Sequence, residues 1–254
     1  MKNPKGTASI QVIERMARLL DALAAYPDSA SLKFLSADTG LHPSTAHRIL
    51  ASLAEQGFVE RTEAGDYRLG RKLARLGCRV NARLDVRREA QEVMERLRDR
   101  IGETVNLTVR EGDEVVYVER AIANRMMRVE QVIGSRAPLH VTAVGKMMLA
   151  EEGEEAIAAY AERTGLPAFT EHTLTDPEAL VTEARAAAER GYALDDEEAE
   201  LGVGCIGALV RDAGGNVVAG LSVSAPIERR RAEWIPLVRA AAEEISRRLG
   251  WNGG

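Results

Sequence analysis

Thr39-Gly40-Leu41-His42-Pro43 is the stretch that most limits how this chain can fold. A glycine that accepts left-handed backbone stands three residues before a proline suited only to the first turn of a helix. One helix must therefore end and another begin within five residues. Upstream, Ser31 is placed to cap a short helix through Ala37, with Leu32 and Leu35 facing inward. Downstream, Ala46, Ile49, Leu50 and Leu53 form the apolar stripe of a helix that runs to about Gln56 and ends at Gly57. Before both, Ile10, Ile13, Met16, Ala17, Leu20 and Leu23 recur at helical spacing and predict a first helix that stops before Pro27.

The third helix has a second face. Ser44, Arg48 and Ala51 lie opposite the apolar stripe, flanked by Thr45, His47 and Ser52. Short residues with hydrogen-bond donors and no acid suit a major groove, where close approach and donors to base edges and phosphates are needed. Next come Phe58-Val59-Glu60-Arg61, a turn at Glu63-Ala64-Gly65-Asp66, and Tyr67-Arg68-Leu69, which read as a hairpin. A small three-helix domain with a merely solvated polar face is the plainer alternative. Helix, turn, helix and hairpin in this order favour a winged helix-turn-helix over residues 10–70. On that reading Ser44, Thr45, His47 and Arg48 face the groove, and Arg61 and Arg68 approach phosphate from the wing.

Charge supports the division. The net charge is −5, yet residues 1–84 carry 13 Lys and Arg against 8 Asp and Glu, while the remainder carries 21 against 31. A basic front and an acidic back are expected when one end meets nucleic acid. Within the front, Arg71, Lys72, Arg75, Arg79 and Arg83 alternate with a thin stripe of Leu73, Leu76 and Val80, which predicts a basic linker helix over residues 71–85. Its arginines either touch phosphate or are solvated, and Cys78 within it reads as a buried thiol. Residues 1–9 read as a flexible tail with no apolar core behind the lysines, and no apolar run reaches the roughly 18 residues of a membrane helix, so a cytoplasmic protein is expected. Two cysteines provide no disulfide framework.

Residues 86–254 predict a second, α+β domain. A helix over Val86–Ile101 precedes strands at Thr104–Arg110, Val115–Arg120 and Arg128–Val132. Helices follow at Val144–Ala150, Glu154–Arg163 and Glu178–Glu189, then strands at Ala193–Asp195, Cys205–Arg211 and Val217–Ser224, and a last helix over Arg231–Leu249. Hairpins mixed with helices, without strict βαβ alternation, give the class. Chemistry concentrates in two places. Ala143-Val144-Gly145 begins a helix, where free N–H groups form an anion site and Gly145 permits close approach. Ser222 and Ser224 project from one face of a strand, with Asp195 and Cys205 on strands nearby. Strand serines are also commonly bonded in place, and a lone cysteine is usually core. Met126-Met127 and Met147-Met148 suit either an adaptable pocket wall or core filling. A nucleophilic Cys205 with His140 or His172, or a metal held by those three, has no supporting signature or spacing. No catalytic residue, cofactor or metal is expected.

Several segments closely resemble the IclR family of transcription regulators. They are Leu41-His42-Pro43-Ser44-Thr45-Ala46-His47-Arg48-Ile49-Leu50, Gly57-Phe58-Val59-Glu60-Arg61, Tyr67-Arg68-Leu69-Gly70, Gly134-Ser135-Arg136-Ala137-Pro138-Leu139-His140, Thr142-Ala143-Val144-Gly145-Lys146 and Gly191-Tyr192-Ala193-Leu194-Asp195-Asp196-Glu197-Glu198. The likeness is collinear from about Ile10 to Gly250. It implies a GAF-like effector domain whose pocket is lined by Ala143, Val144, Gly145, Asp195, Cys205, Ser222 and Ser224. It also implies a homodimer, or a homotetramer on operator DNA, with repression as the default and a small carboxylate, keto or hydroxy acid, as effector. One departure is plain: Gly207-Ala208-Leu209 stands where the family often has Ala-Ala-Pro.

Overall fold

A computed structural model describes residues 11–81 and 85–253, with the backbone alone for 77–81. The expected tail at residues 1–9 and the side chain of Cys78 lie outside the described residues. The chain divides into two compact units, Met1–Arg83 and Leu84–Gly254.

The first unit holds α1 (Gln11–Ala24), α2 (Leu32–Thr39), α3 (Pro43–Glu55), strands β1 (Val59–Arg61) and β2 (Tyr67–Leu69), and α4 (Arg71–Asn81). The local signals explain the boundaries. Ser31 accepts the Phe34 N–H, Gly40 ends α2 at φ 65°, and Pro43 opens α3 behind a cap in which His42 Nδ1 accepts the Ser44 N–H. Gly57, at φ 75°, turns the chain into the hairpin. Leu19, Leu23, Leu35, Ala46, Leu50, Leu53, Val59 and Tyr67 form one core. Ala30 exchanges two backbone hydrogen bonds with Tyr67, at 2.8 and 2.9 Å, tying the segment before α2 to the hairpin. The start of α4 is fastened to the hairpin base, where Lys72 Nζ donates to Gln56 O at 3.0 Å and lies 4.2 Å from the Phe58 ring centre.

The second unit holds α5 (Val86–Ile101), β3 (Thr104–Glu111), β4 (Glu114–Ala121), β5 (Arg136–Pro138), α6 (Ala143–Glu152), α7 (Glu154–Thr164), α8 (Pro177–Arg190), β6 (Ala193–Asp196), β7 (Val203–Arg211), β8 (Val217–Pro226) and α9 (Ile235–Arg248). The strands form one antiparallel sheet in the order β5-β4-β3-β8-β7-β6. Alternation along each strand sorts the side chains. Val105, Leu107, Ile206, Ala208, Val210, Leu221 and Val223 pack with α5 and α9 in one core. The opposite face carries Thr104, Asn106, Thr108, Cys205, Ser222 and Ser224, all buried. There α6 lies against the sheet through Val144, for which Gly207 and Gly220 make room. A Cβ on either glycine would stand within 2.7 Å of Val144 side-chain atoms. This explains the departure at Gly207.

Two expected elements differ. Residues 128–132 form no strand, and β5 pairs with the start of β4 instead, Pro138 with Glu114 and Arg136 with Val116. Segment 122–135 is held by backbone bonds at its end, Gly134 N–H to Tyr117 O at 2.7 Å and Tyr117 N–H to Ser135 O at 3.0 Å, and by Arg120 Nη1, which donates to the Gln131 carbonyl. The last helix begins at Ile235, not Arg231. Ala232–Trp234 make a separate 3₁₀ turn, and Pro236 sits in the first turn of α9, where its missing N–H costs no helical bond.

Candidate functional site

On α3, the stripe of Ala46, Leu50 and Leu53 is buried, while Ser44, His47 and Arg48 are exposed and Thr45 is half-buried. Ser44 Oγ stands 2.8 Å from His42 Nδ1, so the helix cap already engages this hydroxyl. Thr45 and Arg48 also border an open groove of about 530 Å³ toward α1, alongside Met16, Ile49 and Phe58. From Ser44 to Ser52 the exposed face holds donors and no carboxylate, and Glu55, also exposed, stands at its C-terminal end.

The hairpin arginines are not free. Arg68 Nη2 meets Glu60 Oε2 at 2.8 Å across the strand pair, and Arg71 approaches the other oxygen of Glu60 at 4.0 Å. The Arg68 contact, then the Arg71 N–H, holds the Glu60 carboxyl below its ordinary range. Arg61 Nε donates to Gly65 O at 3.3 Å, and its guanidinium lies 5.8 Å from the Tyr67 ring centre. Sequence reading missed the Glu60 pairing, although Glu60 and Arg68 are the obvious opposites of a hairpin centred on residues 63–66.

In the second unit the register brings the expected residues into rows. Asp195, Cys205 and Ser224 are successive neighbours across β6, β7 and β8, followed by Thr104 on β3. The adjacent row runs Ala193, Gly207, Ser222 and Asn106. Cys205 Sγ lies 3.2 Å from Ser224 Oγ. Burial, then the nearby Asp195, pushes the Cys205 thiol well up, so it stays protonated and is a poor nucleophile. Asp195 Oδ1 accepts the Glu198 N–H at 2.8 Å, and burial raises its carboxyl above the usual range.

The start of α6 is narrower than three free N–H groups. Thr142 Oγ1 accepts from Gly145 N at 3.1 Å, and the Thr142 carbonyl accepts from Lys146 N at 3.0 Å. Ala143 and Val144 are what remain of the anion site. Gly145 answers to packing, since a Cβ there would stand 2.3 Å from Leu139 O. Beside it, Lys146 Nζ and Glu198 Oε1 form a buried ion pair, and Glu198 Oε2 has no partner among the described residues. His140 is not a base for Cys205. Its Nδ1 meets the Tyr160 hydroxyl at 2.8 Å and its Nε2 the Pro167 carbonyl at 3.1 Å, and burial lowers its pKa. Sequence reading missed Asn106, Tyr117 and the Lys146–Glu198 pair. A polar residue at an inward position of β3 was the signal available for Asn106.

A helix-turn-helix unit with exposed donors along the first turns of its third helix, followed by an α+β unit with an enclosed polar sheet face, defines a DNA-binding regulator with a small-molecule domain. Comparison with known proteins identifies which. Residues 12–63 match the IclR helix-turn-helix domain and residues 78–247 match the bacterial transcriptional regulator IclR C-terminal domain. The chain belongs to the IclR family of transcriptional regulators and is a regulator, not an enzyme. It is 31% identical over 251 residues to the transcriptional repressor IclR of Escherichia coli, covering 96% of this chain and 92% of that one. The structure of Pseudomonas aeruginosa HmgR is 28% identical, with a TM-score of 0.77 over 96% of this chain and 100% of that one. An IclR homologue from Microbacterium hydrocarbonoxydans, solved with 4-hydroxybenzoate, is 29% identical, with a TM-score of 0.61 over 94% of this chain and 98% of that one. Among the described residues no helix is long and apolar enough to cross a membrane.

Proposed function

We propose that this chain is a cytoplasmic repressor that binds operator DNA as a dimer, and that a small organic acid on the polar sheet face modulates the binding. In this reading α3 enters the major groove with Ser44, Thr45, His47 and Arg48, while Arg61 and Arg68 meet the backbone. Two copies read half-sites about 34 Å apart or a multiple of that, and dimers pair into tetramers on longer operators. The acid's carboxylate meets the N–H groups of Ala143 and Val144, with Gly145 shaping the turn, and its other end faces Asp195, Cys205, Ser222 and Ser224. A ligand acts only through its differential affinity for two arrangements of the dimer, and segment 71–85 is where those arrangements differ.

The observation that carries this reading is the contrast between the exposed donors Ser44, His47 and Arg48 on α3 and an enclosed polar face in the other unit. The repressor name of the Escherichia coli relative supports the direction of control. The 4-hydroxybenzoate in the Microbacterium relative, itself a small carboxylate, supports the ligand class. The test is titration of small organic acids against a fluorescent complex with the DNA upstream of the gene, using wild type and Cys205→Met. Acids are expected to change operator affinity in wild type only, because the longer side chain fills the site, while ligand-free affinity is unchanged. Equal responses in both would place the ligand elsewhere. Sedimentation showing a monomer on a non-repeated site would refute the dimer.

A further inference from the structure

The polar sheet face holds hydrogen-bonding capacity beyond the residues discussed so far. Asn106 is fully buried on β3, directly opposite Ser222 on β8. Its Nδ2 donates to Ser224 Oγ and to Gln131 Oε1, each at 3.1 Å, and its Oδ1 has no partner among the described residues. The Ser222 hydroxyl, on a residue 6% exposed, has no partner among the described residues either. Tyr117 stands opposite Thr108 with its ring packed on the α6 side of the sheet, and its hydroxyl is likewise unpartnered among the described residues. The Tyr117 phenol is pushed up by burial first and then by Cys205 and Asp195, and its partner Thr108 lies two residues along β3 from Asn106, on the same face.

Buried polar groups in native proteins are nearly always hydrogen-bonded. The buried orphan acceptor of Asn106, opposite the idle Ser222 hydroxyl, therefore points to a ligand. The need is also directional. Serine and tyrosine hydroxyls donate or accept as required, but a carbonyl oxygen accepts only. A keto acid offers acceptors alone and leaves Asn106 Oδ1 unmet, whereas a hydroxy acid supplies the missing donor. We propose that Asn106 and Tyr117 form a specificity end of the effector site, and that the effector is a hydroxy acid whose hydroxyl donates to Asn106 Oδ1. Tyr117 donates to the same end of the ligand. The inference rests on the effector reading given above and deepens it.

A site built to bond a hydroxyl rejects the analogue lacking it, because its own buried group is then left unpaired. The experiment is calorimetric titration of the full-length protein, with operator release as a second readout, using matched pairs: lactate against pyruvate, malate against oxaloacetate, mandelate against phenylglyoxylate. The hydroxy member of the pair that fits is expected to bind about tenfold or more tighter than its keto twin. Asn106→Leu should reduce that ratio to about threefold or less, and Tyr117→Phe should weaken both members, each with unchanged ligand-free operator affinity. The wild-type ratio needs no variant, so a misfolded Asn106→Leu leaves the test intact. A keto member that binds as tightly as its twin in wild type, or a ratio unchanged in a folded Asn106→Leu, overturns this inference and leaves the effector site standing. If no acid of either series binds, or binding survives Cys205→Met, the effector site itself is misplaced and this inference falls with it.

Discussion

On α3, Ser44, His47 and Arg48 stand in solvent, whereas on the sheet of the second unit Asn106, Asp195 and Ser224 are almost wholly enclosed. The two surfaces use similar atoms under opposite constraints. An exposed donor is already bonded to water and trades that bond for one to DNA, so its geometry places little demand on the fold. An enclosed donor or acceptor has no water to fall back on. It must be met by the protein or by a ligand, and any group left over carries information. On the sheet the fold meets most of them, through Ser224 with Cys205, Asp195 with the Glu198 N–H, and Lys146 with Glu198. The unmet remainder is small and clustered.

If this contrast is sound, substitutions on the enclosed face cost folding, and those on the exposed face cost binding alone. The largest effect is expected at Lys146. Its side chain is 1% exposed, and Lys146→Met strands the buried Glu198 carboxylate, so urea unfolding should show about 3–5 kcal/mol lost from the second unit. Lys146→Met combined with Glu198→Leu should recover much of that loss, because a buried pair replaced by apolar residues is often neutral. A single-variant loss below about 1 kcal/mol would break the comparison on its enclosed side.

Arg48→Ala tests the other side. Operator affinity should fall by about 1–3 kcal/mol with relaxed preference at one base pair, measured by anisotropy on a set of mutated operators. Thermal melting should be unchanged. A variant that keeps both affinity and preference would show that α3 is not the reading helix.

The smallest effect sharpens the comparison within the exposed face. Glu60 holds Arg68 by a solvent-accessible ion pair, and such pairs are weak. Glu60→Gln should release Arg68 to phosphate and tighten binding to all sequences by roughly two- to threefold, whereas Arg68→Ala should weaken all of them and flatten the salt dependence by about one unit of slope. Identical salt slopes for wild type and Arg68→Ala would remove Arg68 from the interface.

The first unit was largely legible because its determinants lie close together in sequence. Ser31 caps three residues ahead, Gly40 and Pro43 bracket a single turn, and the α3 stripe repeats every three or four residues. Each is a local bond or a helical period, readable without knowing what packs on it. The second unit was legible as strands and helices but less so as a site. Residues 128–132 alternate like a strand, yet they join no strand, and β5 pairs with the start of β4 instead. Gly145 read as room for a ligand, whereas it is room for Leu139 O. Asn106 looked like one polar residue in an apolar run.

By itself the sequence determined the order of elements, the two-unit division of charge, the donor face of α3 from Ser44 to Ser52, and the pairing of Ser222 with Ser224 on one side of a strand. All follow from periodicities of two or 3.6 residues and from backbone-restricted glycine and proline. Only the tertiary structure decided that Asn106 stands opposite Ser222 across 116 positions of chain, that Lys146 meets Glu198, and that Gly207 and Gly220 open the sheet to Val144. Those are contacts between strands and helices distant in sequence. Their partners are set by sheet register and helix docking, which no local pattern encodes.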